Sequence, residues 1–149
     1  MEIERKFKVK EMPDLNLYPY KQLEQGYLNI IPAIRVRKDD DEYYLTYKGK
    51  GSVGSIVREE YNLLLNKESY EHLITKADGR IITKKRYLIP YDKFTIELDV
   101  FEGDLAPLVI AEVEFETTEE ALAFVPPAWF GEDVTDNREY LNARLSQRP

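Results

Sequence analysis

The sequence predicts an α+β fold in which an eight-stranded antiparallel β-barrel with a charged lumen is covered by about three helices. The first observation is a period of two, typical of β-strands, which recurs in eight segments and leaves one parity charged and the other apolar. The second is that helix start signals occur at three places. A sheet of about eight strands that closes with its charged parity inward has a narrow polar interior. Its apolar exterior must then be covered, which the three helices can do.

The first strand shows the alternation most clearly. Ile3 and Phe7 take one parity, and the other parity carries Glu2, Glu4, Lys6 and Lys8. Seven more strands are predicted at residues 21–30, 33–38, 42–48, 56–64, 81–90, 94–101 and 108–116. Because no internal repeat or long linker divides the chain, we expect one domain over residues 1–149.

The three helices are predicted from capping signals. Asn66 is a candidate N-cap for a helix that runs to about residue 77, and Gly79 is a candidate stop signal after it. Two capping boxes, in which a capping side chain is followed three residues later by glutamate, open the other helices: Thr117 with Glu120 and Asp136 with Glu139. The second of these predicts a last helix over residues 137–145.

The composition excludes several classes of function. A net charge of −7 argues against a general nucleic-acid or anionic-membrane surface. The absence of cysteine removes disulfides, thiolate catalysis and cysteine-based zinc sites, and the single histidine, His72, argues against a Ser-His triad. With neither a long apolar run nor a signal peptide, the chain is expected to be cytoplasmic and to bind neither nucleic acid nor membrane.

Charge on the inward parity is segregated by strand. The strongest acidic positions are Glu2, Glu4, Glu60, Glu97, Asp99, Glu112 and Glu114. The strongest basic positions are Lys6, Arg35, Arg37, Lys48, Arg58, Lys84 and Arg86. Any one pair alone would be read as a solvated strand face, but the repetition on successive strands favours a site. Unpaired buried ions are too costly for a packed core, so this interior must hold water, metal ions and a charged ligand.

The residue types point to metal ions and phosphate. Clustered carboxylates without histidine or thiolate favour hard cations such as Mg²⁺ or Mn²⁺, and we expect two ions held by the seven acids. Arginine and lysine side chains on alternate positions match phosphate oxygens, and phosphoryl transfer depends mainly on positioning and charge neutralisation. The candidate phosphate-binding residues are Lys6, Lys8, Arg35, Arg37, Lys48, Arg58, Lys84 and Arg86.

The segment EIERK at residues 2–6 resembles the ExExK signature of the CYTH domain, the triphosphate tunnel metalloenzymes. The similarity continues through IRVR at 34–37, TYKGKG at 46–51, REEY at 58–61, KKRY at 84–87, IELD at 96–99, EVEF at 112–115 and the tail at 129–142. The resemblance implies an eight-stranded antiparallel tunnel and metal-dependent attack on triphosphate-containing substrates. It also implies that Lys48 lies near the attacking water, and that the first-choice metal ligands are Glu2, Glu4, Glu112 and Glu114. Lys48 and Glu4 are therefore the candidate catalytic residues.

We accordingly expect a phosphohydrolase that cleaves inorganic triphosphate, with one ion bridging substrate oxygens and a second activating water. Within the same family, a class IV-type adenylyl cyclase and a nucleoside or thiamine triphosphatase are the alternatives. A module that binds polyphosphate without cleaving it is the alternative of a different class. No stretch of the sequence indicates a base-binding pocket, which favours an inorganic over a nucleoside triphosphate. The oligomeric state and the roles of Glu116 and Arg138 are left open.

Overall fold

Nine strands and three helices make up the part of the chain that the computed structural model describes, residues 1–52 and 56–147. The strands are β1 (Glu2–Val9), β2 (Tyr20–Asn29), β3 (Ala33–Asp39), β4 (Glu42–Ser52), β5 (Val57–Leu65), β6 (Asp78–Tyr91), β7 (Phe94–Phe101), β8 (Val109–Glu114) and β9 (Phe130–Asp133). The helices are α1 (Lys67–Ile74), α2 (Thr118–Ala123) and α3 (Asn142–Leu145). Within these ranges, no helix has the length and apolar character needed to cross a bilayer.

Eight of the strands close into an antiparallel barrel in the order β5-β4-β3-β2-β6-β7-β8-β1. The closing contact between β1 and β5 is short, because only Glu2 with Arg58 and Ile3 with Val57 are paired in register. Further along β1, the same edge pairs with β9. The expected eight-stranded antiparallel barrel is thus confirmed, with β9 as an addition.

The packed core lies between the barrel wall and its covering, on the apolar parity of the strands. Phe7 of β1 packs against Phe124 and Phe130, with ring centroids 6.1 and 4.8 Å apart. The same cluster contains Ile96, Leu98, Ala111 and Val113, all with no exposed surface. Full burial of the isoleucine, leucine and valine side chains in this set contributes roughly 1.5–3 kcal/mol each. The apolar residues therefore stabilise the wall from outside and leave the lumen to the charged parity.

Side-chain caps hold the starts of α1 and α2, as expected from the sequence. The Asn66 side chain accepts a hydrogen bond from the Ser69 backbone N–H at 2.7 Å. The Thr117 hydroxyl accepts one from the Glu120 N–H at 3.1 Å. Each cap satisfies a backbone donor that the helix itself leaves without a partner, so both helix starts are fixed by a single side chain.

The expectation that Gly79 stops the first helix is wrong. The helix ends at Ile74, and Gly79 lies at the start of β6 with a φ of +71°. A Cβ built on it would meet the Ser146 carbonyl oxygen at 2.3 Å. The next residue, Arg80, donates its N–H to that same carbonyl at 2.8 Å. Glycine is therefore needed for the close approach of β6 to the C-terminal segment, not for a helix end.

The C-terminal segment also differs from expectation. Instead of one helix over residues 137–145, a 3₁₀ turn (Arg138–Tyr140) precedes the four-residue α3. The capping side chain is Asn137, which accepts from the Glu139 N–H at 3.0 Å, and not Asp136. The strand β9 was not expected either. Both differences arise because long-range contacts with the barrel, which local spacing does not show, fix this segment.

Candidate metal and phosphate site

The barrel encloses a cavity of about 750 Å³. Most of its charged lining comes from the charged parity of the strands, and part of the lining comes from the C-terminal segment that contains Arg138 and Arg144. The predicted basic residues that line it are Lys6, Arg35, Arg37, Lys48, Arg58 and Arg86. The predicted acidic residues that line it are Glu2, Glu4, Glu60, Glu112 and Glu114. Alternation in the sequence therefore identified most of the charged wall.

Three carboxylates form a compact cluster in this cavity. One oxygen each from Glu2, Glu4 and Glu114 lies within 4.8 Å of the others. Glu4 and Glu114 are direct cross-strand neighbours on β1 and β8, an arrangement in which like charges repel. Although Glu114 is partly exposed, loss of hydration in the cavity, followed by the charges of Glu97 and Glu4, raises the pKa of Glu114 to about 7. Hard oxygen donors at this spacing fit the ligand preference of Mg²⁺ or Mn²⁺.

Lys48 connects this cluster to the neighbouring strand β5. Its ammonium lies 3.0 Å from the Glu2 carboxylate and 3.6 Å from that of Glu60. Burial alone would lower the pKa of Lys48, but the charges of Glu4 and Glu2 outweigh burial and raise it. Burial and the Glu4 charge raise the pKa of Glu2 to about 8. Lys48 is consequently a fixed positive charge at neutral pH.

Two arginines on β3 have no carboxylate within ion-pair distance among the described residues. The buried Nε of Arg35 has no hydrogen-bond partner in the described part of the chain, and its guanidinium makes only a long contact of 3.4 Å with the Thr46 hydroxyl. Arg37 donates to the Gln25 side-chain oxygen at 2.8 Å. Burial and the charges of Arg35 and Arg86 lower the pKa of Arg37. Two neighbouring guanidiniums that have no carboxylate partner among the described residues are suited to bind an anion from the cavity.

Arg86 is held quite differently. Asp99 accepts from it at 2.7 and 2.9 Å in a bidentate pair, and Glu112 and Glu97 lie 3.1 and 3.3 Å away. Although burial opposes it, these carboxylates raise the pKa of Arg86. Lys6 also contacts Glu112, at 3.4 Å, and donates to the Tyr140 carbonyl at 3.1 Å. Arg86 and Lys6 therefore face the cavity from positions that their carboxylate partners already fix.

Four predicted site residues lie outside the cavity lining: Lys8, Lys84, Glu97 and Asp99. Lys84 and Asp99 are fully buried and form an ion pair at 2.6 Å. Lys8 is partly exposed and pairs with Glu132 at 3.3 Å. Glu97 has one buried oxygen without a hydrogen-bond partner in the described ranges, and burial raises its pKa. The charged side chains of the inward parity are therefore not all available to a ligand in the cavity.

Several cavity residues were not singled out from the sequence. Arg144 of α3 and Arg138, whose role was left open, add positive charge to the lining. Asn142 both lines the cavity and accepts a hydrogen bond from Lys84. Asn62 of β5 accepts from the Thr46 hydroxyl at 2.6 Å. Only the resemblance of residues 129–142 to the family drew attention to the C-terminal segment, because charged and apolar residues do not alternate there. Glu116 is exposed beyond the end of β8 and is absent from the lining.

Together, fold and cavity define a tunnel-shaped antiparallel barrel whose inner wall carries opposed sets of acids and bases. The chain belongs to the CYTH domain family, whose model matches residues 1–147. This confirms the resemblance seen in the sequence.

Similar proteins cover almost the full length of the chain. It is 41% identical to an inorganic triphosphatase of Nitrosomonas europaea over 97% of this chain and 96% of that protein. It is 36% identical to an inorganic triphosphatase of Acetivibrio thermocellus, over 99% and 94% respectively. The crystal structure of the inorganic triphosphatase NE1496 superposes with a TM-score of 0.72 at 37% identity, covering 100% of this chain and 96% of that one.

Proposed function

We propose that this chain is a metal-dependent inorganic triphosphatase, which converts triphosphate and water to pyrophosphate and orthophosphate. The observation that carries the proposal is the combination, in one cavity, of the Glu2, Glu4 and Glu114 carboxylates with the two β3 arginines, which lack carboxylate partners among residues 1–52 and 56–147. A volume of about 750 Å³ is within the range of small-molecule sites, roughly 300–1,000 Å³. The names of the two similar curated proteins support the same activity. Residues 1–149 would act as one domain with a small-molecule substrate.

Glu2, Glu4 and Glu114 are the proposed primary metal ligands, with Glu60 as a nearby carboxylate for a second ion. Glu112 lines the same cavity, but each of its oxygens already lies within ion-pair distance of Lys6 or Arg86. Mg²⁺ or Mn²⁺ suits this all-oxygen set. Asp99 is left out of the proposed set, because both of its oxygens accept from Arg86 or Lys84. When bound, the ions would neutralise phosphate charge and lower the pKa of a water molecule.

Two groups of cationic side chains are proposed to bind the substrate. Arg35 and Arg37 gain charged partners only when an anion enters, so their interaction energy is available for binding. Arg86 and Lys6 are already oriented by carboxylates and present their remaining donors without further ordering. Arg58, Arg138 and Arg144 add charge around the same cavity. Such a set neutralises the oxygens of a phosphate chain and holds it in position.

Lys48 is proposed to act as an electrostatic group and not as a general base. Its raised pKa keeps the ammonium protonated at neutral pH, so it cannot remove a proton from water. At 3.0 Å from Glu2 it orients that carboxylate, and its charge would stabilise the negative charge that develops at the attacked phosphorus. Glu4, the other candidate catalytic residue, would act through the metal cluster.

A panel of substrates tests the proposal. Orthophosphate release would be measured with inorganic triphosphate, ATP and thiamine triphosphate, each with Mg²⁺ and with Mn²⁺, and ATP products would be separated by chromatography. We expect fast release from inorganic triphosphate, slower release from ATP and no cyclic AMP. Cyclic AMP with pyrophosphate as main products would instead support the cyclase, and tight triphosphate binding without release would support a binding module.

A further inference from the structure

The inward-facing residues of β3 change the sign of their charge at the end of the strand. In order along β3 they are Arg35, Arg37 and Asp39, and all three line the cavity. Residues two apart on a strand project from the same face, so these side chains form one row. Within the described part of the chain, Asp39 pairs with Lys21 at 3.7 Å and has neither arginine within ion-pair distance. A row of cations suited to bind an anion therefore ends at a negative charge.

The other end of this row begins at the acidic cluster. Ala33, two residues before Arg35, pairs in register with Lys48 of β4. The Lys48 ammonium lies 3.0 Å from the carboxylate of Glu2, one of the proposed metal ligands. Along β3 the order is therefore the acidic cluster, then two arginines, then Asp39. An anion that is bound at the cluster and extends along the arginines points towards the Asp39 carboxylate.

The neighbours of Asp39 do not neutralise it. Its direct cross-strand neighbours, whose side chains share its face, are Leu23 of β2 and Glu42 of β4. Leu23 is fully buried and offers a phosphate no hydrogen bond, and Glu42 adds negative charge while its carboxylate accepts from the Tyr44 hydroxyl. The contact with Lys21 is long and partly exposed to solvent, and such pairs contribute little. Asp39 therefore keeps its negative potential at this end of the cavity.

We propose that Asp39 is a specificity-determining residue that limits the bound phosphate chain to three units, an inference that rests on the proposed function. One phosphate lies at the metal ligands, and the next two meet Arg35 and Arg37. A fourth phosphate would lie beside the Asp39 carboxylate, where like charges repel. Longer chains are thus discriminated against by a repulsive group as well as by the number of cations that attract them.

Initial rates with inorganic triphosphate and with linear tetraphosphate test this inference. Asp39→Asn keeps the size of the side chain and removes its charge. Because the repulsion of a fourth phosphate is lost, kcat/KM for tetraphosphate should rise roughly tenfold, whereas kcat/KM for triphosphate should change less than about twofold. Asp39→Lys should raise the tetraphosphate value further. An unchanged ratio of the two values, or an equal gain for both substrates, would overturn the proposal.

Asp41→Asn is the matched control, because Asp41 is exposed in the turn that follows β3 and does not line the cavity. It should leave the ratio of the two substrates unchanged, and a shift as large as that of Asp39→Asn would overturn the proposal as a general charge effect. If the wild type releases no orthophosphate from triphosphate, the proposed activity fails by itself. The same ratio is then taken from Kd values measured by titration calorimetry with Mg²⁺, where Asp39→Asn should selectively strengthen tetraphosphate binding and an unchanged ratio would overturn the inference.

Discussion

At the scale of single residues, the carboxylates of Glu2, Glu4 and Glu114 are placed where they repel one another. Such an arrangement lowers the stability of a folded protein unless a cation binds between them. The side chains are nonetheless held there, because β1 and β8 pair in a register that makes Glu4 and Glu114 direct neighbours. The repulsion between these carboxylates, which the strand pairing maintains, leads to two predictions.

Replacing Glu114 with glutamine should lower kcat/KM by at least about 100-fold at saturating Mg²⁺, because a proposed metal ligand is lost. The fold should be retained, since the change removes a repelling charge without altering size. Steady-state phosphate release and the circular dichroism spectrum would be measured together. Glu132→Gln is the control, because that exposed carboxylate lies outside the cavity lining. Near-normal turnover of Glu114→Gln would remove this residue from the metal site.

The contribution of Glu114 to the stability of the metal-free protein should fall between pH 5 and 8. The pKa of Glu114 is raised from 4.5 to about 7 in the folded state, so the folded state binds more protons in this range. The contribution of this group is fully present below pH 4.5 and is lost as the pH rises through about 7. Thermal unfolding in EDTA would show a steeper decline for the wild type than for Glu114→Gln. Parallel profiles for the two proteins would contradict the raised pKa.

At the scale of secondary-structure elements, β3 and β6 present arginines in opposite states. Within the described part of the chain, the Nε of Arg35 on β3 has no hydrogen-bond partner and its neighbours are cationic. Arg86 of β6, in contrast, is bonded to Asp99 on β7 and contacts Glu112 on β8. Both side chains reach the same cavity. Arg35 on β3 can therefore bind an anion from the cavity, whereas the charge of Arg86 on β6 is already neutralised by carboxylates.

Methionine substitutions should therefore have opposite effects on stability. Arg86→Met should destabilise the protein by about 3–5 kcal/mol, because it leaves buried carboxylates without their partner. Arg35→Met should leave the ligand-free protein at least as stable, because it relieves repulsion, but should weaken triphosphate binding. Chemical unfolding and titration calorimetry would measure the two properties. Equal destabilisation by both changes would show that Arg35 has a structural partner.

The alternation of residues predicted the strands and the inward-facing parity because both depend on local spacing. It did not predict which charges pair. Asp99 and Glu114 look alike in the sequence, yet one is neutralised by Lys84 and Arg86 and the other belongs to a repelling cluster. The difference arises from the register between distant strands. The same reason explains why β9 was missed, since its four residues form a strand only against β1.

At the scale of the whole molecule, binding of triphosphate with Mg²⁺ should stabilise the barrel strongly. At a ligand concentration of about 100 times Kd, linkage gives roughly 2.7 kcal/mol, or about 5–10 °C in Tm for a domain of this size. Orthophosphate at the same concentration should give a much smaller shift, because it can meet only a few of the cavity cations. Thermal unfolding with each anion would measure the difference. Similar shifts from both anions would argue against a site for an extended phosphate chain.

The pairing of β1 with β8 also bears on how the molecule folds. Glu4 and its cross-strand neighbour Glu114 are 110 residues apart in the sequence. During translation β1 therefore lacks this partner until β8 has been synthesised. Contacts of such large sequence separation form slowly. Metal binding at Glu4 and Glu114 would consequently report that this long-range strand pairing has formed.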